Sequence, residues 1–145
     1  MSLKDWLKNG WLVEHKSSPQ EIGNLLDVVK RDLDDCRAAG LSADWKMNIA
    51  YNAALQAATA ALAACGFRAS RDAHHYRIIQ SLAFTLETEA KLIAKFDKFR
   101  KKRNIGGYEQ AGLVSEQEAN EMIALAEQLR EATVTWLRLN YPELL

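Results

Sequence analysis

Apolar residues recur at three- and four-residue steps along almost the whole chain, and no stretch of useful length alternates apolar and polar positions as a strand would. Ser2 followed by Asp5 predicts a capped short helix over about 3–8, closed by Asn9-Gly10. Ser18-Pro19-Gln20-Glu21 then supplies a cap, a proline at the first helical position and an acidic first turn. From it Ile22, Leu25, Leu26, Val29, Leu33 and Cys36 mark one face as far as Gly40. Ser42-Ala43-Asp44 opens the next helix, which runs to Gly66. Its stretch from Ala50 to Leu62 is so rich in alanine that it predicts a central helix with close neighbours.

After the turn at 66–72, a third long helix shows a face of Tyr76, Ile79, Leu82, Ala83 and Leu86, with a break expected near 85–88. A helix from about Glu89 to Asn104 follows, then a turn at Gly106-Gly107. Ser115-Glu116-Gln117-Glu118 has the form of a capping box and opens the last helix. That helix presents Ala119, Met122, Ile123, Ala126, Leu129, Thr133, Trp136 and Leu137, with Pro142 past its end. The pattern predicts an all-α fold. One domain spans residues 1–145, an antiparallel up-and-down bundle of about four to five helices.

Charge changes the picture at one helix only. Nineteen basic and nineteen acidic side chains cancel overall, which leaves no global signature of nucleic-acid binding. Residues 91–103, however, hold seven Lys or Arg against the single acid Asp97. On a helical projection centred on Phe96, Leu92, Ile93 and Phe99 form the apolar stripe. Arg103 falls about 20° and Arg100 about 40° from its centre, whereas Lys91, Lys95, Lys98, Lys101 and Lys102 lie about 100° or more away. Lysines coat the wet side and arginines extend the dry side. A guanidinium on an apolar face needs an anion, a carboxylate or carbonyl oxygens. The structural alternative pairs each arginine with an internal carboxylate or with the helix's C-terminal dipole.

Cys36 and Cys65 sit in helical patterns beside alanines and read as buried thiols rather than a disulfide or metal site, which fits a reducing compartment. The N-terminal residues show no apolar core of a signal peptide, so a cytoplasmic location is expected, and the apolar run from Ala53 to Cys65 is too short to span a bilayer. His74 and His75 are adjacent and so point about 100° apart on a helix, which does not suit a shared metal; no metal and no cofactor are expected. One of the pair should pack inside the bundle, and the other is a candidate acid or base. Glu116 and Glu118 read as helix-start residues. Tyr108 stands five positions after Arg103, as a half-buried tyrosine or as a phenol in the arginine's cleft. Trp6, Trp11, Trp45 and Trp136 lie on four separate segments and read as core or interface anchors rather than a base-stacking platform.

Two segments resemble the HEPN superfamily of small helical bundles, in particular its stand-alone prokaryotic members. One is Ala50-Tyr51-Asn52-Ala53-Ala54-Leu55-Gln56, continuing through Gly66-Phe67-Arg68 to His74-His75-Tyr76-Arg77-Ile78-Ile79. The other is Phe99-Arg100-Lys101-Lys102-Arg103-Asn104 with Tyr108 and the helix opening at Ser115. With the helices between, the similarity covers about residues 20–140. The resemblance implies a homodimer and a metal-independent ribonuclease, often the toxin of a toxin–antitoxin pair. It also implies a motif of Arg, a polar neighbour and, a few residues on, His, two copies of which meet across the dimer cleft. Arg103 and Asn104 match the first half of that motif. The His position falls on Tyr108, and no histidine follows His75. A phenol with a pKa near 10 is a poor base at neutral pH, though it can donate a hydrogen bond to phosphate.

The resemblance thus implies binding of RNA or a nucleotide phosphate through Arg103 and Asn104, and the charge pattern of the helix adds Arg100, Lys101 and Lys102 as candidate phosphate ligands. The candidate catalytic residues are Arg103, Tyr108 and His75, and ribonuclease activity is expected to be lost or reduced. The alternative is a non-catalytic interaction module that binds a protein partner, such as the nucleotidyltransferase antitoxins of some members of the superfamily.

Overall fold

The computed structural model describes residues 1–106 and 112–145, with side chains described for 1–103 and 112–145. Serines start four of its helices. Ser2 Oγ accepts from the backbone N–H of Asp5 (3.2 Å) at the head of α1, Leu3–Lys8. Ser18 Oγ accepts from Glu21 N–H (3.1 Å) at the head of α2, Pro19–Asp35. Ser42 does the same for Trp45 (3.2 Å) at the head of α3, Ala43–Ala64. Ser115 and Glu118 complete a reciprocal capping box on α6, Glu116–Asn140. Each cap satisfies an otherwise orphaned backbone donor, a contribution of about 1 kcal/mol. Between these lie α4, His74–Ser81, and α5, Ala90–Gly106, and a single 3₁₀ turn, Pro142–Leu144, follows α6.

Two departures from the periodicity matter for the site. The first is a two-stranded antiparallel ribbon, β1 (Leu12–Glu14) with β2 (Phe67–Ala69), in register Leu12↔Ala69, Val13↔Arg68 and Glu14↔Phe67. Three residues per strand are too few for alternation to register in the sequence. The pairing is a long-range one, made possible by positive φ at Gly10 (77°) and Gly66 (93°) and extended by Ser70 N–H to Trp11 C=O (3.0 Å) and His15 N–H to Gly66 C=O (2.9 Å). His15 Nε2 in turn meets the Glu21 carboxylate at 2.7 Å, which ties the ribbon to the first turn of α2. The second departure is that the expected third long helix is only eight residues long. Ser81 and Thr85 turn their hydroxyls onto backbone carbonyls, and the chain leaves the helical path at Glu87, whose φ is 53°.

Side-chain partners fix the helix directions. Asn52 Nδ2 donates to Asp32 Oδ2 (2.7 Å), and Ile22 packs among Ala60, Ala63 and Ala64, so α2 and α3 are antiparallel. Lys46 meets Glu116 (3.1 Å) at one end and Cys65 meets Tyr141 (3.8 Å) at the other, so α3 and α6 are parallel. Lys102 meets Glu118 near the start of α6, while Leu86, Thr88 and Glu89 line a cleft with Gln128, Leu129 and Ala132, so α5 runs against α6. The long helices alternate in direction along the chain, yet the most extensive helix contact is the parallel pair α3 and α6. Alanine is the reason. Ala50, Ala53, Ala54, Ala57, Ala58, Ala60 and Ala61 are all fully buried, so α3 is covered on all but the partly exposed stripe of Asn48, Asn52, Gln56 and Thr59, and its neighbours approach closely.

The main core joins Met47, Tyr51 and Leu55 of α3 with Ile79 of α4, Phe96 and Phe99 of α5, and Met122 of α6. A smaller cluster around Ile22, Ala60 and Leu137 closes the opposite end. Cys36 is buried at the end of α2, and Cys65 is half-buried at the end of α3. No described helix is long and apolar enough to cross a membrane.

Candidate phosphate-binding corner

Three elements build the site: the middle of α3, the first turn of α4 and the last turns of α5. The stripe of α5 buries Ile93, Phe96 and Phe99 against the core, which sets the rotation of the helix. With that rotation fixed, Arg100 and Arg103 come to lie half-buried at the edge of the core, while Lys91, Lys95, Lys98 and Lys101 are exposed. Much of the lysine coat is committed elsewhere. Lys95 pairs with Glu121 (3.8 Å) and Lys102 with Glu118, both on α6, and Lys101 lies 3.7 Å from Asp97. The Lys102 ammonium and the Ser115 backbone together hold the Glu118 carboxyl below its usual pKa. Lys102, expected as a phosphate ligand, thus joins α5 to the cap of α6.

The arginines point toward α3 and α4. The Arg103 guanidinium lies 5.2 Å from the centroid of the Tyr51 ring. The Tyr51 hydroxyl reaches the Nδ1 atom of His75 at 3.2 Å, and the phenol ring also packs edge-on against Phe96 at 5.6 Å. Arg100 lies 5.5 Å from the Tyr76 ring, with its Nε donating to Asp97 Oδ1 at 2.6 Å. Arg100 therefore has the carboxylate partner that the structural alternative called for, in the preceding turn of its own helix. Among the described residues, the contact of Arg103 is an aromatic face rather than a carboxylate.

Beside His75 and Arg100 opens a cavity of about 400 Å³ lined by Ala73, His74, His75, Tyr76 and Arg100; Tyr51 and Arg103 are not part of its lining. Its floor is the N-terminal turn of α4. That turn is entered through Ala73 in the left-handed region (φ 53°), and no described side chain caps it. His74 Nδ1 bonds back to the Ser70 carbonyl at 3.1 Å. The N-terminal turn of α4, which no described side chain caps, and Arg100 line the same cavity, a combination suited to an anion.

Burial and charge act on both hydrogen-bonded groups. Burial pushes the Tyr51 phenol up to about 12, against the opposing influence of Arg103 and Arg100, so it stays a protonated, neutral phenol at any physiological pH. Burial lowers the pKa of His75 from its usual 6.5, and the nearby charges of Arg103, His74 and Arg100 lower it further. A neutral imidazole with one nitrogen held by a phenol has its other nitrogen fixed in role. With the phenol donating to Nδ1, Nε2–H is a donor for a phosphate oxygen. With Nδ1–H donating to the phenol oxygen, Nε2 is a lone pair able to take a proton.

Of the residues singled out in the sequence, the fold brings Arg100, Arg103 and His75 to one corner. Lys101 is exposed beside it, and Lys102 turns to α6. Tyr108 and the side chain of Asn104 lie outside the described residues. Tyr51 and Tyr76 complete the corner and were not singled out as site residues. The available signal was Tyr51 itself, since a phenol within an alanine-dense buried helix requires a hydrogen-bond partner.

Of the tryptophans expected as core or interface anchors, Trp6 is buried in the core and Trp11 packs against it. Trp6 and Trp11 come from different segments yet meet edge to face at 5.8 Å, whereas Trp45 is 62% exposed and is not a core residue. Comparison of the chain with protein-family models, with curated proteins and with solved structures finds no match.

Proposed function

We propose that this protein is a HEPN-type, homodimeric protein that binds RNA or a nucleotide phosphate through the corner formed by Arg100, Arg103 and His75. The observation that supports this reading best is the convergence of His75 and Arg103 on Tyr51. Two groups 28 positions apart in sequence, both of types that bind phosphate, meet on one buried phenol beside an uncapped helix terminus. In this reading Arg103 supplies charge, His75 Nε2–H a directed hydrogen bond, and Tyr51 fixes the imidazole. The motif histidine missing at position 108 has a substitute from another helix.

That substitution favours a second, catalytic reading, in which the other tautomer of His75 takes the proton of a ribose 2′-hydroxyl and Arg103 stabilises the charge that develops on the phosphate. The toxin-like role and a nucleotidyltransferase partner belong to this same family reading.

The test is binding and cleavage of a single-stranded RNA in EDTA by wild type, Arg103→Ala and His75→Gln. The reading expects binding to weaken at least tenfold in Arg103→Ala. Cleavage abolished in both variants would add the catalytic role. Wild-type affinity in Arg103→Ala, or no RNA binding by the parent protein, would overturn the reading in favour of a protein-interaction module.

A further inference from the structure

Asp97 is the single acid among the seven Lys or Arg of residues 91–103, and it is the charged side chain of that stretch that the fold buries, at 8% exposure. Its two oxygens have different partners. Oδ1 accepts from Arg100 Nε at 2.6 Å, and Oδ2 lies 3.7 Å from the exposed Lys101 ammonium. An i, i+3 ion pair on an open helix surface contributes little, because water screens it and both side chains stay free to move. Here burial fixes the carboxylate, and the Arg100 guanidinium that it holds lies 5.5 Å from the Tyr76 ring and lines the cavity. The bond takes the Nε–H of Arg100 and leaves both Nη groups for another acceptor. Charge alone gives Asp97 no place beside an anion. Burial is the main cause of the raised Tyr51 pKa, and the Asp97 charge acts in the same direction, so its negative field reaches the corner and opposes an anion there.

We propose that Asp97 is a positioning residue of the anion site, which holds Arg100 by Nε so that the two Nη groups meet a phosphate in the cavity. The proposal rests on the phosphate-binding reading and adds a residue to it. An arginine has a long side chain with much rotamer freedom, and ordering it at the moment of binding weakens the complex. Held beforehand by a buried carboxylate, Arg100 has lost that freedom in the unliganded protein. The paired Nη groups also match two oxygens of one phosphate, a geometry that a freely turning guanidinium reaches only part of the time. Orientation offsets the repulsion that the carboxylate brings.

The test compares tripolyphosphate binding, by calorimetry, in Asp97→Asn and Asp97→Ala. Both variants remove the same charge and the same ion pair with Lys101, but only asparagine keeps an oxygen that accepts from Arg100 Nε. The comparison therefore separates orientation from electrostatics. The expected result is binding weaker in Asp97→Ala than in Asp97→Asn by about five- to twentyfold, with the difference gone when both variants also carry Arg100→Ala. Urea unfolding midpoints verify the fold, and if Asp97→Ala does not fold, Asp97→Ser, whose side chain is too short to reach Nε, takes its place. Binding in Asp97→Ala as tight as in Asp97→Asn, or a difference that survives Arg100→Ala, would overturn the proposal. Failure of the underlying reading looks different: tripolyphosphate binding would be indifferent to Arg100→Ala and to Arg103→Ala in the otherwise unaltered protein.

Discussion

Tyr51 has the central position among the individual residues, because among the described residues it contacts both His75 and Arg103, the candidate phosphate ligands. Its hydroxyl fixes the His75 ring and its face carries the Arg103 guanidinium, while its buried body belongs to the core. The depressed pKa of His75 has a consequence for stability. Between the folded pKa and 6.5 the unfolded chain binds a proton at this position that the folded protein refuses, so stability falls as pH drops through that window and levels off below it. Urea unfolding between pH 7 and pH 5 is therefore expected to show a component of acid sensitivity that His75→Gln removes; an unchanged profile in that variant would contradict the burial of a neutral imidazole. At Ala73 the constraint is on the backbone. With φ at 53°, replacement by valine is expected to cost about 1–2 kcal/mol, read from the same unfolding curves, because a β-branched side chain tolerates the left-handed region poorly.

Among the elements, α3 determines how the others can pack. Its alanines allow α6 to lie against it in parallel, so a larger side chain there must push helices apart. Ala57→Leu is expected to destabilise by about 1–3 kcal/mol through overpacking, whereas the same change at the exposed Ala94 of α5 should be close to neutral; equal effects at both positions would contradict the close packing of α3. Much at this scale was legible in the sequence. The serine caps, the alanine-dense helix and the arginines at the edge of the apolar stripe of α5 are all local signals, set by residues within a turn or two of one another, whereas the third helix ends at Ser81, earlier than the expected break near 85–88. What was not legible depended on distant residues meeting. The ribbon pairs residues 12–14 with 67–69, Tyr51 finds His75 from another helix, and the lysines of α5 find acids on α6. No periodicity within one segment encodes those meetings.

For the molecule as a whole, the pairing between α5 and α6 redistributes charge. The sequence shows a strongly basic helix, but the fold spends part of that charge on Glu118, Glu121 and Asp97. On the proposed reading, the anion-binding surface among the described residues is correspondingly narrow and lies at the corner of α3, α4 and α5. Salt dependence measures that width. About three engaged cations would give a slope of about −2 in log K against log salt for a single strand, whereas the full basic helix would give about −5. A titration of oligouridylate binding from low to moderate salt is expected to show the shallower slope, and the steeper one would mean that the ion pairs with α6 open on binding.

The central claim is that phosphate is held at His75 and Arg103, and the most direct measurement is an NMR titration of the His75 imidazole with tripolyphosphate across pH. The account predicts that the His75 ring resonances shift on binding, that its depressed pKa rises as an anion replaces the surrounding positive field, and that both effects vanish in Arg103→Ala. An unmoved His75, with the shifts confined to the exposed lysines of α5, would contradict it.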